Sequence, residues 1–236
     1  MLDSTKVEGD PVIPQSRLVV AIDGPSGSGK SSVAKEAARR LGAAYLDTGA
    51  MYRAVTWHCL DAGTDLTDAD AVAQAVRDAE LEISTDPGIE RVLIHGTDVT
   101  AAIREQFVSE AVSAVATNLE ARAELVRRQR AVIGEHERVV AEGRDITTVV
   151  APDAQTRILL TASEEARMRR RGLQLGKVEA AALRRQVVDR DAKDSTVSNF
   201  TTATDGVHML DSSDLDFEQT VLAVLSLVEA GTSRLD

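Results

Sequence analysis

The chain is poor in several things that proteins of other kinds depend on. It has one cysteine, Cys59, which excludes an intrachain disulfide and a cysteine-based zinc site. Cys59 reads as a small buried hydrophobe on a helix. Aromatic residues make up 3%, which argues against a base-stacking surface for single-stranded nucleic acid. Positive charge is not in excess. The net charge of −11 disfavours wholesale binding to a polyanion, although arginines can still cluster locally. No apolar run approaches about 18 residues, so no membrane span is expected. His58, His95, His136 and His208 are scattered, with no metal-type spacing and no paired aspartate, and take no role. No repeat or low-complexity block is present. Residues 1–16 lack an apolar signal core and contain Pro11 and Pro14, and read as a disordered tail on a soluble, cytoplasmic protein. With no coiled-coil or exposed apolar signal, a monomer is expected.

What the chain does have is a phosphate loop. Gly24-Pro25-Ser26-Gly27-Ser28-Gly29-Lys30-Ser31 fits G-x-x-x-x-G-K-S/T. Glycines let the backbone bend until its N–H groups point inward at phosphate oxygens. Lys30 is placed to reach the terminal phosphates, and Ser31 to ligand Mg²⁺. The context agrees. Arg17 to Asp23 is an apolar strand directly before the loop. Ser32 to Leu41 follows at helical spacing, with Gly42 as its stop. The helix N-terminus adds partial positive charge at the same phosphates. The motif indicates nucleoside triphosphate binding without naming an acceptor.

Further strands are expected at 44–46, buried throughout, and at 139–143, 156–161 and 207–211. With the first, near 17–23, they make a five-stranded parallel sheet flanked by helices, an α/β fold. Helices are expected at 50–62, from Thr67-Asp68-Ala69-Asp70 onward, at 103–117 and at 119–133, the last ended by Gly134. The apolar face of the second combines Ala69, Val72, Ala73 and Val76. Leu81–Ser84, Arg91–Ile94 and a stub at Val99 alternate like strands, with a type II turn at Pro87-Gly88. They form a small antiparallel insert. Ser163 caps a helix with Arg167, Arg169, Arg170 and Arg171, followed by Gly172 and Gly176. Another helix covers about 178–190. A final amphipathic helix carries Phe217, Val221, Val224, Leu225 and Val228.

Charged residues gather at strand tips, where open α/β sheets bind ligands. Thr48 and Arg53 suit an anion; the other reading of Arg53 is a solvated helix face. Asp145 follows a strand; its other reading is a cap on the next turn. The arginines around 167–171 suggest a mobile lid over phosphates, or else a solvated face paired with Glu164 and Glu165. An alcohol acceptor needs a base beside its hydroxyl. A nucleoside monophosphate is already anionic, and its difficulty is repulsion between two polyanions. Arginines at 53, 144, 167, 170, 171 and 190 answer the second need, so the pattern favours a kinase with a phosphorylated acceptor.

The motifs go further. The loop after Ile22-Asp23, then Leu46-Asp47-Thr48-Gly49-Ala50-Met51-Tyr52-Arg53, then Arg127-Arg128-Gln129-Arg130, then Gly143-Arg144-Asp145-Ile146-Thr147-Thr148-Val149-Val150, and Arg190-Asp191 with Asp194-Ser195, closely resemble bacterial cytidylate kinases over roughly 17–229. The resemblance implies a three-layer P-loop fold over 17–236, with a monophosphate-binding insert at about 64–117 and an arginine-rich helical lid at about 167–196. It implies transfer from ATP to CMP or dCMP with Mg²⁺, and small nucleotides rather than nucleic acid or membrane as partners. Gly24 through Ser32 would hold the ATP phosphates. Thr48, Arg53 and Arg144 would hold the CMP phosphate. Ser113, Arg122 and Asp145 would read cytosine, and Arg190 and Asp194 would meet the sugar. Lys30, Arg167, Arg170 and Arg171 would act on the moving phosphoryl. The chain departs from the family at Val197, where an arginine is usual: one phosphate or sugar contact would be missing, or else supplied by Lys193 or Arg190. The segment from Gly172 to Arg190 looks shorter than in some relatives. Ser31-Ser32 stands where many have Gly-Thr, with the Ser31 hydroxyl in place. A sister kinase for another monophosphate or an alcohol, and a P-loop ATPase switch, are the rival readings.

Overall fold

Six consecutive buried residues, Leu18–Asp23, form strand β1. A strand apolar on both faces belongs inside a parallel sheet covered on each side. A computed structural model of the chain describes residues 17–175, 191–192, 195–196, 198 and 200–232. In it β1 is the middle of five parallel strands. The others are β2 (Ala44–Asp47), β6 (Arg138–Gly143), β7 (Thr156–Thr161) and β8 (His208–Asp211), in the order β2-β6-β1-β7-β8. The two faces of β1 divide the core. Val19 and Ala21 pack with α2 (Thr48–Asp61), α3 (Ala69–Asp78), α4 (Gln106–Ala116) and α5 (Leu119–Glu135). Leu18, Val20 and Ile22 pack with α1 (Lys30–Leu41) and the last helix, α7 (Phe217–Thr232). The expected three-layer α/β architecture is therefore present. Helix α6 (Glu164–Leu175) starts at a Ser163 hydroxyl that accepts from Ala166 N.

The small antiparallel sheet is also present: β3 (Leu81–Ile83), β4 (Val92–Ile94) and β5 (Thr97–Asp98). His95 (φ 48°) and Gly96 (φ 73°) make the two-residue turn between β4 and β5. Both residues being left-handed is what a tight hairpin needs to match strand twist.

Several local expectations are corrected. Gly88 is not left-handed, so Pro87-Gly88 is no type II turn; the Asp86 carboxylate accepts from Gly88 N and shapes the turn instead. The stub is Thr97–Asp98, not Val99, which is buried. In β2 only Leu46 is fully buried. The expected helix over 103–117 is broken at Glu105, which is extended between a 3₁₀ turn (Ala102–Arg104) and α4. Gly134 lies inside α5, and His136 ends that helix by turning extended. Gly172 likewise lies inside α6. Ala69 and Phe217 are exposed; Val72, Ala73 and Val76 carry the buried face of α3. Cys59 is fully buried on α2, as expected. The tail 1–16 and the helix expected at 178–190 lie outside the described residues. No helix among the described residues is long and apolar enough to cross a membrane.

Candidate active site

Three strands end side by side: Asp23 of β1 is in register with Gly143 of β6, and Asp47 of β2 with Glu142 of β6. Asp47, Glu142 and Gly143 at the tips of β2 and β6 line a cavity of about 570 Å³. One side of the cavity is the phosphate loop, contributing Ser26, Gly27, Gly29, Lys30, Ser31 and Ser32. The loop is close-fitting. Gly27 has φ +79°, and a Cβ there would lie 2.8 Å from the carbonyl oxygen of Arg167. Gly29 (φ 90°) turns the chain into α1, whose N-terminus ends against the cavity. Gly24, Pro25 and Ser28 belong to the loop but not to the cavity lining; a Cβ on Gly24 would meet the Leu160 carbonyl at 2.3 Å.

Three acids cluster at these strand ends. Asp23 accepts from Ile146 N (2.8 Å), Thr147 N (2.8 Å) and Thr147 Oγ1 (2.6 Å), which pins the segment after Arg144. Burial raises it from 3.8 to about 6, against the pull of those bonds. Glu142 is raised to about 7, first by burial and then by the Asp47 carboxylate. Asp47 is only partly buried; desolvation would raise it, but Arg53 and the Ala50 N–H outweigh that and hold it below the usual range. Asp47 caps α2 by accepting from Ala50 N (2.7 Å) and accepts from Arg53 Nη2 at 3.1 Å. Thr48 donates to the Glu142 carbonyl at 2.8 Å. A Cβ on Gly143 would lie 2.5 Å from that hydroxyl oxygen, so only glycine fits there.

The same cavity is also lined by Arg53, Arg122, Arg144 and Asp145. Arg122 Nη2 donates to Asp145 Oδ2 in a short, nearly buried ion pair. Burial raises the Asp145 carboxyl even so, with Arg122 opposing. Arg144 lies over the Phe200 ring, 4.6 Å from its centroid, and donates to Asp191 at 2.9 Å. Thus Asp145 does not cap the turn after it, and Arg53 is no solvated face: their side chains are engaged at the cavity.

Other expected residues fall around this centre. Ser113 lines a shallow second hollow with Ala114, Thr117 and Thr196, while Ser109, Val112 and Ala116 of the same helix face the main cavity. Arg167 donates to the Ser26 carbonyl (2.9 Å) and to Asp191. Arg170 donates to the Ser28 carbonyl (3.1 Å) and to Ser212 Oγ (3.0 Å), so both arginines pack against the phosphate loop. Arg190 and Asp194 lie outside the described residues, with Lys193 and Val197, as does the side chain of Arg171. In the Arg127-Arg128-Gln129-Arg130 run, Arg128 and Arg130 donate to the carbonyls of Ala79 (2.6 Å) and Val150 (3.2 Å), a structural use.

Sequence reasoning missed Asp23, Asp47, Glu142 and Asp191, and the trio Lys35, Glu90 and Arg104. Glu90 accepts from Lys35 (3.0 Å) and Arg104 (3.1 Å), and all three line the cavity. The strand-end acids carried a signal: each sits at the carboxyl end of an apolar strand. Glu90 carried none, since its partners come from distant segments.

Ser31 Oγ donates to Glu142 Oε1 at 2.7 Å. A hydroxyl beside a carboxylate at the foot of a phosphate loop suits Mg²⁺, which takes one or two protein oxygens and completes its shell with phosphates and water. No larger cluster of metal-binding side chains is found among the described residues, and this mode of binding needs none.

A phosphate loop on the central parallel strand, sharing one cavity with a group of arginines, defines a P-loop phosphotransferase. Residues 20–230 match the family model described as cytidylate kinase. The chain is 50% identical over 218 residues to a cytidylate kinase of Cutibacterium acnes, covering 90% of this chain and 96% of that one. It is 49% identical over 224 residues to a cytidylate kinase of Rhodococcus jostii, covering 92% and 97%. The chain belongs to the cytidylate kinase family. A solved structure of an uncharacterized protein from Eubacterium ventriosum shares the fold alone, with a TM-score of 0.50 at 12% identity over 91% of this chain and 99% of that chain.

Proposed function

We infer that the protein transfers the γ-phosphoryl group of ATP to CMP or dCMP, giving ADP and CDP or dCDP. The observation that carries this is the Arg122–Asp145 pair on the wall of the same cavity that the phosphate loop lines. Cytosine presents O2 and N3 as acceptors and its amino group as a donor. Arg122 donates to the first two, and Asp145 accepts from the third. Uracil reverses donor and acceptor at N3 and C4 and so opposes both side chains. Ser113 is the third family position assigned to the base.

The loop backbone and Lys30 hold the ATP phosphates, and Arg53 and Arg144 hold the phosphate of the monophosphate. Thr48 joins them once its hydroxyl turns from the Glu142 carbonyl. Two polyanions then approach without a general base, because the acceptor oxygen is already ionised. Arg167, Arg170 and Arg171 offset the charge that spreads over the moving phosphoryl. Ser31 and Glu142 would hold Mg²⁺, which neutralises phosphate charge when bound. Arg190 and Asp194 meet the sugar. In this reading the segment at about 64–117 is the monophosphate-binding insert, and that at about 167–196 the lid.

A coupled assay of ADP release across CMP, dCMP, UMP and AMP tests the reading. CMP and dCMP are expected to lead. Preference for AMP or UMP moves the protein to a sister kinase. Hydrolysis of ATP indifferent to every monophosphate makes it a switch.

A further inference from the structure

Asp191 brings together three parts of the molecule that the reaction has to coordinate. Its Oδ1 accepts from Ser26 N in the phosphate loop (3.0 Å) and from Arg144 Nη1 beyond the tip of β6 (2.9 Å). Its Oδ2 accepts from Arg167 Nη1 on α6. The three side chains are nearly buried, at 12% exposure for Asp191, 15% for Arg144 and 13% for Arg167. Two guanidinium groups held this close repel each other unless an anion lies between them, and screening is weak away from water. Arg167 also returns to the Ser26 carbonyl at 2.9 Å, so the carboxylate and the lid arginine grip both ends of one residue of the loop.

The contacts have a selective geometry. Asp191 engages one nitrogen, Nη1, of each guanidinium, whereas an arginine fork carries five N–H donors. The carboxylate thus fixes where one end of each fork lies. Arg144 is fixed from a second direction by the Phe200 ring. In the functional reading above, on which this inference rests, Arg144 serves the acceptor phosphate, Ser26 the donor phosphates, and Arg167 the group in transit. We propose that Asp191 is a positioning residue for phosphoryl transfer: it ties the acceptor-side arginine, the donor loop and the lid arginine into one frame, so that both guanidiniums meet the phosphoryl group at a fixed spacing.

Positioning of this kind acts on the transition state more than on ground-state binding. The test is steady-state kinetics of the full chain with CMP and ATP, for Asp191→Asn and Asp191→Ala. Asp191→Asn keeps the shape and loses the charge. It is expected to lower kcat by about 10²-fold, as a misplacement near 1 Å does, while KM for both nucleotides stays within about threefold. Asp191→Ala opens a space for a small carboxylate, and added formate is expected to restore part of its kcat in a saturable way. Wild-type kcat in Asp191→Asn overturns the proposal. So does a kcat loss in Asp191→Ala that formate leaves untouched, since an ion pair serving stability alone predicts that result. Absence of CMP phosphorylation in the unsubstituted protein defeats the functional reading instead, and shows before any variant is made.

Discussion

Arg122 and Asp145 stand 23 residues apart in the chain and close on each other as an ion pair, with 13% and 6% of their side chains exposed. Removing one partner of such a pair leaves a buried charge, at a cost of about 3–5 kcal/mol. Arg122→Ala should therefore lower Tm, and adding Asp145→Asn should recover part of the loss. In Arg122→Ala the ratio of kcat/KM for CMP over UMP should fall by about tenfold or more, with KM for ATP nearly constant. An unchanged CMP/UMP ratio removes Arg122 from base recognition.

Lys30 Nζ lies 3.5 Å from the Pro25 carbonyl, folded back over its own loop. A charge held there acts on the moving phosphate and contributes little to the core. Lys30→Ala should cut kcat by about 10²–10³-fold while Tm shifts little. Near-normal turnover in a folded Lys30→Ala protein contradicts the assignment of the loop.

Asp23 titrates near 6 rather than 3.8 because burial disfavours its charge. Below about pH 4 the carboxyl is protonated whether the chain is folded or not. Between there and 6 only the folded protein retains the proton, so stability falls as pH rises, and the loss is complete above 6. Asp23→Asn should lower stability overall by weakening the bonds to Ile146 and Thr147. It should also remove this slope: from pH 4.5 to 7 the wild type should lose about 2 kcal/mol relative to the variant. Parallel stability curves measured by urea unfolding across that range would refute it.

Gly143 leaves no room for a methyl group, with Thr48 Oγ1 at 2.5 Å and Ile146 Cδ1 at 2.8 Å from an added Cβ. Gly143→Ala should push Thr48 and the β6 tip apart. The expected signature is a KM for CMP raised several-fold, with KM for ATP changed less. Equal effects on the two would place the strain on the phosphate loop side as well.

Ser31 has the only side chain in the loop that donates to Glu142 among the described residues. Ser31→Ala should raise the Mg²⁺ concentration needed for half-maximal activity by about tenfold, and Ser31→Thr should restore it. An identical Mg²⁺ dependence in the alanine variant would exclude this hydroxyl from metal binding.

The parallel sheet and the loop were legible because each rests on a local rule. Apolar runs such as Leu18–Ile22 mark a strand covered on both faces, and the glycine spacing of 24–29 admits few other backbones. The hairpin insert was legible from alternation at 81–94. What escaped was decided by contacts between distant segments. Glu105 breaks a helix that periodicity continues smoothly through. Gly134 and Gly172 sit inside helices, which tolerate a single glycine at a cost of about 1 kcal/mol. Phe217 looks like a core residue and stands 51% exposed, since Val221, Val224, Leu225 and Val228 already fill the face of α7. Asp191 could be seen as part of a charged run, but no spacing rule connects it with Ser26 and Arg144, 165 and 47 residues away.

Glu90 is half in water where it meets Lys35 and Arg104, with 53% of its side chain exposed against 32% and 53%. Ion pairs so well solvated are worth about 1 kcal/mol or less, and dissolved salt weakens them further. The tie between the antiparallel insert and the first helix of the core is therefore one that thermal motion breaks readily. A nucleotide entering between them would do almost no work against the protein, and the energy of its binding stays available for the chemistry.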